Sequence, residues 1–215
     1  MFYKNGIVKG SSFVEYEDYI IVGTPTIIDG IVSNFTSGNY IVTSYKQAEP
    51  ITDIEINVDV ITPSEWSASD NRYVVLGQYG SNFQSPQVEV HPTRLGYGFS
   101  PNKSGWVGNW NISYTFQTDT RYSIKIILRN GESKVYLDGN LIDTTSIQYG
   151  IYYSVPICIG ADTGGTVSWL GSVDLNTFYV KINGNYALKG LNSLQYPKIA
   201  RIESDCLNVN DFYEI

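Results

Sequence analysis

The sequence predicts an all-β fold, and three observations carry that expectation. Tyrosine alone supplies 18 of the 215 residues; Tyr, Val, Ile and Thr suit the half-buried pleated surface of a sheet, and the Ala- and Leu-rich runs that build helices are scarce. Apolar and polar residues alternate over short windows, most clearly in Asp53-Ile54-Glu55-Ile56-Asn57-Val58-Asp59, the period of a strand with one face buried. Between Tyr122 and Gly184 such windows are separated by Arg129-Asn130-Gly131 and Asp138-Gly139-Asn140. These supply the positive-φ positions that tight hairpin turns need, so two linked hairpins are expected there.

Taken in order, residues 1–20 read as an aromatic, polar leader whose Phe13, Tyr16 and Tyr19 can pack on the body of the protein or on a neighbouring subunit. Strands are expected near residues 27–35 and 40–43, with a first long strand over 51–61. A polar loop at 63–71 holds Trp66, and 73–79 reads as another strand. Residues 80–108 are rich in Gly, Pro, Ser and Asn, so the strands expected at 87–91 and 95–99 are short. A strand at 111–116 precedes the two hairpins, and Val155-Pro156-Ile157-Cys158-Ile159 is an apolar strand in which a thiol behaves as a small hydrophobe. Past residue 190 the pattern becomes irregular, with a last strand expected at 198–203. Neither an internal repeat nor a low-complexity linker is visible, and all-β units of about 200–250 residues commonly form one domain.

Composition excludes some functions. A formal charge of −7 without a basic stripe argues against nucleic-acid binding, which draws on clustered Lys and Arg. The N-terminal segment lacks the apolar core of a signal peptide, and no apolar stretch approaches the length of a membrane span, so neither export by a signal peptide nor membrane insertion is expected. Cys158 and Cys206 are the only cysteines and form no disulfide framework, although a bridge between them is left open; His91 is the only histidine, so a His/Cys metal site has almost no material.

Lys134-Val135-Tyr136-Leu137-Asp138-Gly139-Asn140-Leu141-Ile142, followed by Ile159-Gly160-Ala161-Asp162 and Trp169-Leu170-Gly171-Ser172-Val173-Asp174-Leu175, resembles the second half of a concanavalin A-like, laminin-G-like domain. The version it is most similar to occurs in bacteriophage tail-fibre and other virion-surface proteins. The stretch from Val22 to Thr36, with Asn39-Tyr40-Ile41, is similar to the opening strands of the same family. The resemblance implies a two-sheet antiparallel jelly-roll sandwich over residues 21–190, preceded by the leader (1–20) and followed by a C-terminal extension (191–215). It further implies a non-enzymatic module on a tail fibre, baseplate or head fibre, folded in the host cytoplasm. Its implied partners are a bacterial surface glycan and other virion proteins, in a homo-oligomer such as a trimer. An architectural virion protein that binds no sugar is the alternative within the same setting.

Three groups of residues could carry chemistry. Tyr97, Phe99, Trp106, Trp110 and Tyr114, with Asn109 among them, form the best ligand-site candidate: flat rings contact the apolar faces of sugars, and amides bond hydroxyls. Core packing competes for the same rings. Glu55, Asn57 and Asp59 share one strand face in a spacing similar to the Glu-x-Asp-x-Glu of concanavalin A-like glycosidases, which keeps a glycan hydrolase or lyase as a further alternative. Here an amide replaces the central acid, and a solvent-facing strand surface explains the alternation equally well. Asp119, Asp138, Asp162 and Asp174 could hold calcium as some laminin-G-like domains do, but no Asp-x-Asp-x-Asp-Gly loop is present, and no other cofactor is expected.

Overall fold

The computed structural model describes residues 6–7, 14–15, 19–36, 38–66, 73–78, 86–101, 105–148, 150–162 and 167–191. The strands expected at 198–203 and the side chains of Phe13, Tyr16 and Cys206 lie outside these described residues. In chain order the strands are β1 (Gly6–Ile7), β2 (Val14–Glu15), β3 (Tyr19–Val22), β4 (Thr26–Ile28), β5 (Ile31–Ser33), β6 (Tyr40–Thr43), β7 (Gln47–Ile51) and β8 (Ile54–Ile61). There follow β9 (Val74–Gln78), β10 (Gln87–His91), β11 (Arg94–Phe99), β12 (Val107–Ser113), β13 (Arg121–Arg129), β14 (Glu132–Leu137) and β15 (Asn140–Ser146). The last are β16 (Ile151–Tyr153), β17 (Ile157–Ile159), β18 (Ser172–Ile182) and β19 (Asn185–Leu188).

The expected all-β sandwich of two antiparallel sheets is what the chain forms. The first sheet runs β1-β2-β3-β6-β17-β9-β10-β11-β12, and the second runs β15-β14-β13-β8-β18-β5-β4 with β19 also on β18. The chain crosses repeatedly between the two layers, so neighbours in each sheet are often distant in sequence. β7 and β16 pair separately. The leader adds β1 and β2 to the edge of the first sheet beyond β3, which itself spans the boundary drawn at residue 20.

The turn residues explain the local connections. Asn130-Gly131 and Asp138-Gly139 both hold positive φ and join β13 to β14 and β14 to β15, as expected from their composition. Asp29-Gly30 turns the segment at 27–35 into the β4–β5 hairpin, and Asn183-Gly184 joins β18 to β19. Two strands are displaced from their expected limits. The run 51–61 is broken at Thr52-Asp53 into β7 and β8, and β12 starts at Val107 and ends at Ser113 because it pairs β11 from Phe99 back to Arg94.

The core lies between the sheets. In β8, Ile54, Ile56, Val58 and Val60 are all buried, and they meet Ile124, Ile126 and Leu128 of β13 and Val173, Phe178 and Val180 of β18 in one apolar cluster. The first sheet contributes Ile41, Val88, Val90, Leu95, Tyr97 and Phe99. Tyr19 of β3 packs edge-on against Phe178 with ring centroids 6.2 Å apart, and its hydroxyl donates to the Lys189 carbonyl at 2.7 Å, tying the two layers together. Cys158, between Ile157 and Ile159 in β17, is buried with a free thiol, and burial pushes that thiol up to about 12. Among the described residues, no helix is long and apolar enough to cross a membrane.

Two expectations follow. Ile56→Ala should lose about 2–5 kcal/mol in urea unfolding, whereas Leu141→Ala, on an exposed position of β15, should stay within about 0.5 kcal/mol. At about pH 8.5, where an exposed thiol is half ionised, Cys158 in the native protein should resist a maleimide or disulfide reagent and react fully once urea is added.

Candidate functional site

Within β11 the side chains alternate Leu95, Gly96, Tyr97, Gly98, Phe99. The three large ones point into the core, Tyr97 with no exposed surface, so the outward face of the strand is a bare trough of backbone. The Trp110 indole lies in that trough. A Cβ on Gly98 would sit 2.3 Å from its Cζ2, and one on Gly96 would sit 3.1 Å from its Cε3. Trp106 meets Trp110 edge-to-face with ring centroids 5.8 Å apart, and both rings are half-buried. The result is a pair of indoles seated on backbone, each partly exposed.

Polar groups surround the pair. The Arg94 guanidinium donates to Asn111 Oδ1 at 2.7 Å and lies 3.4 Å from the Trp110 carbonyl. One strand over, Gln87 and Glu89 stand opposite Gly98 and Gly96 on β10, and the Gln87 amide donates to Glu89 Oε1 at 2.8 Å. His91 Nε2 is 3.1 Å from Glu89 Oε2. Arg94 Nη2 lies 3.4 Å from the same nitrogen. Gln87, Glu89 and His91 are buried, so they brace the site, while Asn111 is exposed and Arg94 half-buried at its rim.

The residues singled out from the sequence therefore divide. Trp106 and Trp110 come together on the outward face. Tyr97 points the other way, and its hydroxyl donates toward Asp143 Oδ2 at 3.4 Å; burial raises its pKa. Asn109 also turns from the indoles and donates to Asp143 Oδ1 at 2.8 Å, latching β12 to β15. Tyr114 stacks with Phe116 and Tyr122, at centroid distances of 4.8 and 5.9 Å, beyond the end of β12. Arg94 and Asn111 carried no signal of their own. The polar alternation Gln87-x-Glu89-x-His91 lies on the β10–β11 hairpin and was given no role from the sequence.

The carboxylates of the second sheet are engaged by neighbours. Tyr179 donates its hydroxyl to Glu55 at 2.5 Å; burial, and after it this hydrogen bond, raises the tyrosine pKa, and Lys181 Nζ lies 3.6 Å from the same carboxylate. Arg121 bridges Asp174 at 2.6 Å and Asp59 at 3.5 Å, and the hydrogen bond to Asp174 raises its pKa. Asn57 donates to Asp59 Oδ1 at 3.5 Å and to the Thr177 carbonyl at 3.1 Å. Of the acidic residues considered for calcium, Asp138 accepts from the Ser123 amide at 2.8 Å in its own turn, Asp119 is at a positive-φ turn position and Asp174 pairs with Arg121. No group of three or more His, Cys, Asp or Glu side chains that could hold a metal occurs among the described residues.

No protein-family model and no curated protein matches the sequence. Solved structures do share the fold. The botulinum neurotoxin serotype D ligand-binding domain, determined in complex with N-acetylneuraminic acid, superposes with a TM-score of 0.58 at 11% identity, over 77% of this chain and 41% of that one. The receptor-binding domain of botulinum neurotoxin mosaic serotype C/D gives 0.55 at 13% identity, over 76% and 42%. The binding domain of Paraclostridial Mosquitocidal Protein 1 gives 0.54 at 12%, over 83% and 46%. The chain thus shares a β-sandwich fold with these binding domains and spans less than half their length.

If the glycine trough holds Trp110, Gly98→Val must displace the indole. Tryptophan emission should shift to the red and the near-ultraviolet circular dichroism of the Trp106–Trp110 pair should change. Gly105→Ala, which meets nothing within 4 Å, should leave both spectra as they are.

Proposed function

We propose that the chain is a non-enzymatic recognition module that binds bacterial surface glycans, carried on a phage tail fibre, baseplate or head fibre. The observation that carries the reading is the Trp106–Trp110 pair, seated on Gly96 and Gly98 and flanked by Arg94 and Asn111. Rings already locked in place lose little freedom when a sugar stacks on them, and the guanidinium and amide offer planar hydrogen bonds to hydroxyls. The sandwich shared with receptor-binding domains, one of them holding N-acetylneuraminic acid, supports a binding role. The Glu55 and Asp59 carboxylates are each engaged by a cation, which favours binding over hydrolysis. The virion setting is supported by the resemblance in residues 122–184. A shallow aromatic site gives weak binding, and display as a homo-oligomer, such as a trimer, would raise avidity about 10²–10⁴-fold.

The test is binding of the purified chain to a panel of bacterial surface polysaccharides, with and without calcium, alongside sedimentation to fix the oligomeric state. Saturable binding is expected, and Trp110→Ala should weaken it about tenfold or more, ~1.4 kcal/mol, with Trp106→Ala acting in the same direction. Silence across the panel from folded protein would transfer the reading to an architectural virion protein.

A further inference from the structure

The second sheet presents a different chemistry on its outward face. Across β14, β13, β8 and β18 the register sets Tyr136 opposite Lys125, Lys125 opposite Asn57, and Asn57 opposite Tyr179. At about 4.8 Å between strands, this row is about 14 Å long. A cavity of about 350 Å³ opens over it, lined by Asn57, Ser123, Lys125, Ile127, Tyr136 and Gly139.

Charge distribution singles out one residue in that row. Arg121 is paired with Asp174 and Asp59, Arg129 with Asp53, Lys134 with Glu132 and Lys181 with Glu55. Lys125, on the same face, has no counter-ion among the described residues. In a chain of net charge −7 this is not for want of acids: Glu55, Asp59 and Asp174 are matched by other cations, while Asp138, in the turn beside the cavity, accepts from the Ser123 amide. Beneath it Asn57 is only 7% exposed, its amide N–H groups are committed to Thr177 and Asp59, and its carbonyl oxygen accepts from no described residue.

We propose that this cavity is a second ligand site, for an acidic saccharide, with Lys125 taking the carboxylate. The ammonium supplies a charge-assisted donor, the Asn57 carbonyl and Ser123 hydroxyl meet sugar hydroxyls, and the Tyr136 ring provides an apolar wall. The site is on the opposite sheet from Trp106 and Trp110 and stands whether or not those indoles bind sugar.

The test is a nuclear magnetic resonance titration of the full, ¹⁵N-labelled chain with oligogalacturonate, with its methyl ester and with sodium sulfate. Saturable shifts are expected at the amides of Asn57, Ser123, Lys125 and Tyr136. Both the methyl ester and Lys125→Met should bind about tenfold more weakly, ~1.4 kcal/mol, and Trp110→Ala should bind as the parent does. Methionine keeps the apolar stem of the lysine, so the variant's spectrum should otherwise match the parent. The proposal is overturned by absence of saturable shifts, by unchanged affinity in folded Lys125→Met, by loss of binding in Trp110→Ala alone, or by sulfate binding as tightly as the oligosaccharide.

Discussion

One-sided burial of β8 governs the rest of the molecule. Ile54, Ile56, Val58 and Val60 are driven into the layer between the sheets, each contributing about 1.5–3 kcal/mol of transfer free energy. Because successive side chains of a strand point to opposite faces, the same event sends Glu55, Asn57 and Asp59 outward. β13 and β18 pair with β8 on either side and repeat the division, with Ile124, Ile126 and Val180 inward and Lys125, Arg121, Tyr179 and Lys181 outward. A register slip of one residue would exchange the two sets, so the apolar layer enforces the polar row as strictly as it enforces the core.

The first sheet solves the same problem with another device. In β11 the inward positions 95, 97 and 99 are large and the outward positions 96 and 98 are glycine, so the strand is thick on the core side and has no side chain of its own at those two positions. That asymmetry lets an indole from β12 lie directly on backbone. Tyr97 illustrates the cost of reading such a strand by residue type alone. It belongs to the same short stretch as Trp110, yet it serves the interior, where its hydroxyl and Asn109 both donate to Asp143 and hold the edges of the two sheets together.

What the sequence made legible was local. The dipeptides Asn130-Gly131 and Asp138-Gly139 fix their hairpins because few residues tolerate positive φ, and alternation in residues 53–60 fixes a half-buried strand. The Trp pair was legible as a candidate because flat rings in a Gly- and Asn-rich stretch suit a sugar face, although core packing competed for the same rings. The row Tyr136–Lys125–Asn57–Tyr179 was not, since it depends on which strands become neighbours after the chain crosses between layers. Asn57 and Lys125 are 68 residues apart in sequence (125 − 57) and directly opposite in the sheet. No periodicity within either strand contains that fact.

The two outward faces also constrain how the molecule can act. Among the described residues both candidate sites are open: one is a pair of partly exposed rings, the other a cavity above a sheet face. Neither encloses a ligand, so neither excludes water well enough to strengthen its charges as a catalytic cleft does. Shallow sites bind through area and a few directed hydrogen bonds, and they become effective when several act on one long ligand or one crowded surface. A sandwich places such sites on opposite layers of a rigid body, whose separation the core holds constant. That geometry fits the proposed attachment to a repeating polymer.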